Sequence, residues 1–105
     1  MVRRAPEQKI KTLAKITDMI TISFENDWFQ DDIELLISLV FKPLLAVNIQ
    51  EKIVGADREN IRFTWQEHFF ILNFDCYSQS CWLEGQDNKS TDYLALLYQE
   101  LTLDD

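Results

Sequence analysis

The sequence predicts an α+β fold, a two-layer sandwich in which an antiparallel sheet carries two helices mainly on one face. Three observations support this prediction. Several segments alternate apolar and polar residues, as half-buried strands do. Two other segments repeat apolar residues at helical spacing. The resulting order is strand, helix, four strands, helix, which is typical of an α+β domain.

The first predicted strand covers 18–25, where β-branched and aromatic residues alternate with polar ones. The first predicted helix covers 28–42, because apolar residues recur at helical spacing from Ile33 onward. Pro43 ends this helix, since proline cannot continue the hydrogen-bond ladder.

Four more strands and a second helix follow. The strands are predicted at 47–54, 60–66, 69–75 and 80–85. The second helix is predicted at 91–102, with Ser90 as its N-cap, because serine caps helices well.

The strands at 60–66 and 69–75 are expected to form a hairpin around Glu67 and His68. The expected pairs are Trp65 with Phe70, Phe63 with Leu72, and Ile61 with Phe74. Three pairs containing an aromatic side chain would then share one face, which favours a single register.

Charge is distributed unevenly along the chain. Residues 1–15 carry a net charge of +4 and the remainder carries −12, which together give −8. We therefore predict a mobile basic N-terminal arm at 1–15 and a single domain at 16–105. The arm is either a solvated terminus or a segment that contacts an acidic surface. The acidity of the domain argues against direct binding to nucleic acid or to an anionic membrane.

The two glycines in the chain are too few for a glycine-rich phosphate loop or a dinucleotide fingerprint. No segment has the length and hydropathy of a signal peptide or of a membrane span. We therefore expect a cytoplasmic protein whose cysteines stay reduced.

Cys76 and Cys81 are the first candidates for chemistry, as a redox pair, but the four residues between them do not match a redox or zinc motif. A turn centred on Ser78 and Gln79 would place the two cysteines opposite each other. A register shifted by one residue would separate the two cysteines and place Trp82 opposite Phe74. Simple packing, a redox or disulfide-forming pair, and a nucleophile or metal ligand all remain open.

The other chemically capable residues are interpreted structurally. His68 lies at a predicted hairpin tip, where no nucleophile is held beside it. Ser78 and Ser80 are interpreted as turn residues, since no nucleophile elbow surrounds them. Four acidic residues near the start of the first helix are interpreted as favourable charges at a helix N-terminus rather than as a metal site. They are Asp27, Asp31, Asp32 and Glu34. No catalytic residue, metal ligand or cofactor is predicted.

The first helix has more apolar residues than one buried stripe requires. Leu35 and Leu39 lie off that stripe, and Trp28 and Phe29 extend the apolar surface at its start. Either other parts of the chain cover these four residues, or they form an interaction surface with another chain.

The segment from Phe70 to Glu84, with Ser80-Cys81-Trp82-Leu83-Glu84 at its centre, resembles a family of short bacterial proteins of about this length and of unknown function. The resemblance extends over most of the chain from the first predicted strand onward. It implies a cytoplasmic, bacterial, single-domain protein and supplies no catalytic or binding residues.

Two functional hypotheses follow. The first is a non-enzymatic acidic module that binds a protein partner or forms a homodimer, through the surplus apolar residues of the first helix or through an exposed sheet edge. The second is a small thiol-dependent enzyme or redox sensor that uses Cys76 and Cys81. A further class, small-ligand binding beneath the helices, has no specific residue to support it.

Overall fold

A single antiparallel sheet organises the chain. The computed structural model describes residues 7–103. Its strands are β1 (Ile10–Ile16), β2 (Met19–Phe24), β3 (Asn48–Val54), β4 (Arg58–Trp65), β5 (His68–Asp75) and β6 (Ser80–Gly85). They form one six-stranded sheet in the order β1-β2-β6-β5-β4-β3. The helices are α1 (Ile33–Phe41), α2 (Asn88–Asp92) and α3 (Leu94–Leu103), and a 3-10 turn at Gln30–Asp32 precedes α1. The predicted α+β class with an antiparallel sheet is confirmed.

One strand was not predicted. Residues 10–16 form β1, which pairs with β2 at one edge of the sheet, although most of them had been assigned to the basic arm. A bulge between Ile10 and Thr12 inserts Lys11 and interrupts the two-residue period that would have indicated a strand. Arg3 and Arg4 of the predicted arm, and Asp104 and Asp105 at the other end, lie outside the described residues.

The predicted register of the β4–β5 hairpin is wrong by two residues. The observed pairs are Trp65 with His68, Phe63 with Phe70, and Ile61 with Leu72. The loop is only Gln66 and Glu67, whose φ angles are 53° and 65°. Two successive positive φ angles are typical of the tight type I′ turn, which forms here without an Asn-Gly pair. Because side chains alternate with a period of two, this shift leaves each one on its predicted face.

The buried apolar residues of four strands lie on one face of the sheet and meet the helices there. On the sheet they are Ile20, Ile22, Phe24, Ile61, Phe63, Trp65, Phe70, Leu72, Phe74, Cys81 and Leu83. The Phe41 ring of α1 lies 4.7 Å from the Phe63 ring, and the Tyr93 ring between α2 and α3 lies 6.0 Å from that of Trp65. Residues from both ends of the chain therefore share one hydrophobic core.

Both predicted helices begin and end differently in the structure. Residues 28 and 29 precede the first helix, with Phe29 extended and its N–H bonded to the Asp32 carboxylate at 2.9 Å. The second helix begins at Asn88 and is interrupted at Tyr93. Asp87, not Ser90, is its N-cap, because the Asp87 carboxylate accepts a hydrogen bond from Ser90 N.

Gly85 fills a position where β6 passes close to α2. A Cβ at Gly85 would lie 2.5 Å from Thr91 N, whereas a Cβ at Gly55 would lie 3.5 Å from its nearest neighbour, Arg58 O. We expect Gly85→Ala to lower the free energy of unfolding by about 1–3 kcal/mol, because backbone must move to admit the methyl group. Gly55→Ala is the matched control and should change it by less than about 1 kcal/mol. Urea denaturation of both variants measures the difference, and equal effects would contradict the close packing of β6 on α2.

Candidate functional site

The four residues of the predicted interaction surface differ widely in exposure. Trp28 is only 2% exposed and packs edge-on against Phe24 and Phe74, with ring centroids 6.4 and 5.7 Å apart. Trp28 is therefore part of the core. Phe29 and Leu35 are 67% and 50% exposed. Leu39 is half-buried and lines a groove between α1, α3 and β1.

The two edges of the sheet differ in their exposed side chains. All seven residues of β3 are exposed, and three of them are large and apolar: Ile49, Ile53 and Val54. At the other edge, β1 presents Lys11 and Lys15 to solvent. Lysines on an edge strand oppose pairing with another strand, and β3 has a single lysine, Lys52. An exposed sheet edge was one of the two surfaces expected for association, and the structure places such an edge at β3.

Both charges of β3 are paired within the chain. Lys52 Nζ lies 2.7 Å from Glu34 Oε2 of α1, and Arg62 of β4 lies 3.3 Å from Glu51 Oε1. Glu34, which had been interpreted as helix N-terminal charge, thus also joins α1 to β3. With one glutamate and one lysine, β3 has no net charge, whereas the whole chain has a formal charge of −8.

Cys76 and Cys81 form no disulfide and are not cross-strand partners. β5 and β6 pair Phe74 with Cys81, so neither of the two registers considered from the sequence is observed. Cys81 is buried, and burial raises the pKa of its thiol. Cys76 lies in the turn that follows β5, half-buried, with its Sγ 3.9 Å from Trp28 O. The predicted redox pair thus consists of one core residue, Cys81, and one turn residue, Cys76.

The turn between β5 and β6 is held by hydrogen bonds that account for its hydroxyl groups. The Asp75 carboxylate accepts from the backbone N–H groups of Tyr77 and Ser78 at 3.1 and 3.3 Å. The Ser78 and Ser80 hydroxyls bond to each other at 2.8 Å. Ser78 therefore acts as a turn residue and Ser80 as the first residue of β6, and the capped turn explains why the cysteine register could not be derived from residue spacing.

His68, Ser90 and Asp87 surround one depression where the β4–β5 hairpin meets α2. The His68 ring stacks on the Tyr93 ring at a centroid distance of 3.9 Å. The Ser90 hydroxyl accepts a hydrogen bond from Phe69 N at 2.9 Å. The hydrogen bond from Ser90 N lowers the pKa of the Asp87 carboxyl, as expected for an N-cap carboxylate. These contacts attach the hairpin to α2.

Acidic residues near α1 also have structural partners. The Asp32 carboxylate accepts from Phe29 N, and Glu34 pairs with Lys52. Within residues 7–103, no three His, Cys, Asp or Glu side chains are grouped so as to hold a metal ion. Over the same residues, no helix is both long enough and apolar enough to span a membrane.

A polar network crosses the other face of the sheet. Asn73 is buried, and its amide donates to Glu84 Oε2 at 3.0 Å and accepts from Asn60 Nδ2 at 2.6 Å. The Trp82 indole N–H donates to the same Glu84 oxygen at 3.0 Å. The network satisfies the polar groups of Asn73, which otherwise interrupts the apolar sequence of β5.

Glu59 is a buried carboxyl that the sequence analysis did not identify. It lies on β4 under the 3-10 turn and is 6% exposed. Burial raises its pKa, Glu34 raises it further, and Lys52 acts in the opposite direction. Gln30 Nε2 approaches Glu59 Oε1 at 3.4 Å, while the buried Gln30 Oε1 has no hydrogen-bond partner among the described residues.

We expect Glu59→Gln to stabilise the protein at pH 7 and to have little effect at low pH. A raised folded-state pKa means that the native state binds this proton more tightly than the unfolded chain does. The contribution of Glu59 to the free energy of unfolding is therefore fully present below its pKa in the unfolded chain. This contribution decreases as the pH rises through its pKa in the folded protein. Denaturant titration of both proteins from pH 4 to pH 8 measures this. The opposite slope, with the glutamine variant losing relative stability as pH rises, would show that Glu59 is stabilised as a carboxylate.

Comparison with known proteins gives a family but no activity. Searches of curated proteins and of solved structures yield no match. A family model described as "Protein of unknown function (DUF3630)" matches residues 9–102, which include all six strands and every helical residue except Leu103, the last residue of α3. The chain belongs to the DUF3630 family, a family of unknown function.

Proposed function

We propose that the protein is a non-enzymatic interaction module that associates through the edge strand β3, and that its partner is a second copy of the same chain. The observation that carries this proposal is that all seven residues of β3 are exposed, including Ile49, Ile53 and Val54. An exposed apolar edge strand has unpaired backbone donors and acceptors that a further strand satisfies.

The charge of β3 favours a second copy over a charged partner. Glu51 and Lys52 are already paired with Arg62 and Glu34, so the strand offers no unpaired charge for an acidic or basic peptide. Two chains with a formal charge of −8 repel each other, and contact at an uncharged edge keeps that repulsion small.

Symmetry, charge and strand length together favour one register. A bulge between Ile49 and Glu51 leaves residues 51–54 as the regular part of β3. When two copies pair antiparallel about a two-fold axis, residues on the same face lie opposite each other. Centring the pair on Glu51 or on Lys52 places like charges opposite each other, which is destabilising. Centring it on Val54, the last residue of β3, places Ile53 against Gly55 outside the strand, whereas centring it on Ile53 places Ile53 against its own copy and Lys52 against Val54.

The thiol-dependent alternative has weaker support. A reactive cysteine requires an accessible thiolate, and Cys81 is buried with a raised pKa. Cys76 is more accessible, and its sulfur contacts the Trp28 backbone carbonyl.

An engineered cysteine tests the register. We expect Ile53→Cys, in a Cys76→Ser background, to form a disulfide-linked dimer under mild oxidation, because opposite residues in an antiparallel pair lie within about 4.5–5.5 Å. Val54→Cys is the matched control. Two copies of Val54 would be offset by two residues, about 6.8 Å along the strand, and so lie beyond disulfide reach. Non-reducing electrophoresis measures both variants.

Light scattering after size-exclusion chromatography completes this test. A dimer that dissociates on Ile53→Lys, but not on Ile16→Lys at the other edge, supports the proposal. A wild-type monomer at every concentration, or equal cross-linking of the two cysteine variants, would refute it.

A further inference from the structure

A groove opens between the C-terminal end of α1, the C-terminal end of α3 and the edge strand β1. Its volume is about 360 Å³, within the range of roughly 300–1,000 Å³ that is usual for small-molecule sites. Four aliphatic side chains line it: Ile10, Leu13, Leu39 and Leu101. Leu101 belongs to the buried core, and the other three are half-buried at its margin. The groove therefore exposes apolar surface that continues into the core.

The charged residues that line the groove are all positive. Lys11 and Lys42 line it, and no aspartate or glutamate within residues 7–103 does. The positive charge of the groove contrasts with the chain as a whole, in which 18 acidic residues outnumber 10 basic ones. The groove is thus a local cationic site on an acidic protein.

Local structure explains how both lysines reach this position. Lys11 is the extra residue of the β1 bulge, and a bulge redirects the side chain of the inserted residue. Lys42 is the C-cap residue of α1, where a cation also interacts favourably with the exposed carbonyl groups of the helix end.

We propose that this groove binds a medium-chain alkyl carboxylate, with the alkyl chain against Leu13, Leu39 and Leu101 and the carboxylate at Lys11 and Lys42. The aliphatic wall removes the alkyl chain from water, and the two ammonium groups form charge-assisted contacts with the head group. An uncharged amphiphile would contact only the aliphatic wall, and a small hydrophilic anion would contact only the two lysines. An amphiphilic anion can contact both, so it complements the groove best. The site lies at the opposite edge of the sheet from β3 and does not depend on the proposed self-association.

Titration calorimetry with sodium decanoate, below its micelle concentration, tests this site. We expect one saturable site per chain and an affinity at least about tenfold lower for the double variant Lys11→Gln/Lys42→Gln, which corresponds to the loss of about one charge-assisted contact. Lys15→Gln is the matched control. It removes a lysine from the same strand that does not line the groove, and its affinity should equal that of the wild type.

Decan-1-ol separates the two halves of the proposal. It should bind more weakly than decanoate and equally to the wild type and the double variant, because it lacks the charge. Leu39→Gln should weaken both ligands, with circular dichroism confirming that the variant is folded. Absence of saturable decanoate binding would overturn the proposal, as would equal affinities of the double variant and Lys15→Gln, or binding of decan-1-ol as tight as that of decanoate.

Discussion

The structure depends on the packing of one face of the sheet against the helices. The stacked pair of Phe63 and Phe70, with ring centroids 5.6 Å apart, lies at the centre of that face. The two-residue turn at Gln66 and Glu67 determines this pair, because it sets which residues of β4 and β5 oppose each other. A register shift of one residue would move the whole apolar set to the solvent side, so the core admits no such slip.

A sheet that is not closed into a barrel has two edges, and the two edges of this sheet differ in their exposed side chains. β1 carries exposed lysines, and its Leu13 carbonyl accepts a hydrogen bond from the Tyr98 hydroxyl of α3 at 3.2 Å. β3 is exposed along its whole length. In our account the first edge forms one wall of a cationic groove and the second pairs with another chain, so the two proposed contacts lie at opposite ends of one scaffold.

Sequence patterns predicted the parts of the fold that depend on local periodicity. Alternation, apolar runs and polar turns located five of the six strands and assigned the residues of β4 and β5 to their correct faces. The β1 strand was missed because Lys11 breaks its period, and the break at Tyr93 was missed because apolar spacing continues across it. The sequence left open whether Trp28 is covered within the chain or forms part of an interaction surface. It packs against Phe74, a contact between residues 46 positions apart that no local pattern shows.

The candidate sites were less predictable because they depend on which elements meet. The exposure of β3 follows from its place at the end of the strand order, and the burial of Glu59 follows from the 3-10 turn above it. The groove brings together residues from three distant segments of the chain. Net charge showed only that the domain is acidic, and it concealed the two lysines that share this groove.

The difference between the two edges is the central claim, and backbone hydrogen exchange at several protein concentrations measures it directly. Amides that pair only on association become protected as the dimer forms. We predict that exchange slows with rising concentration at residues 51–54 of β3 and stays constant along β1. Exchange at β3 that is independent of concentration, or protection that develops at β1 instead, would contradict the account.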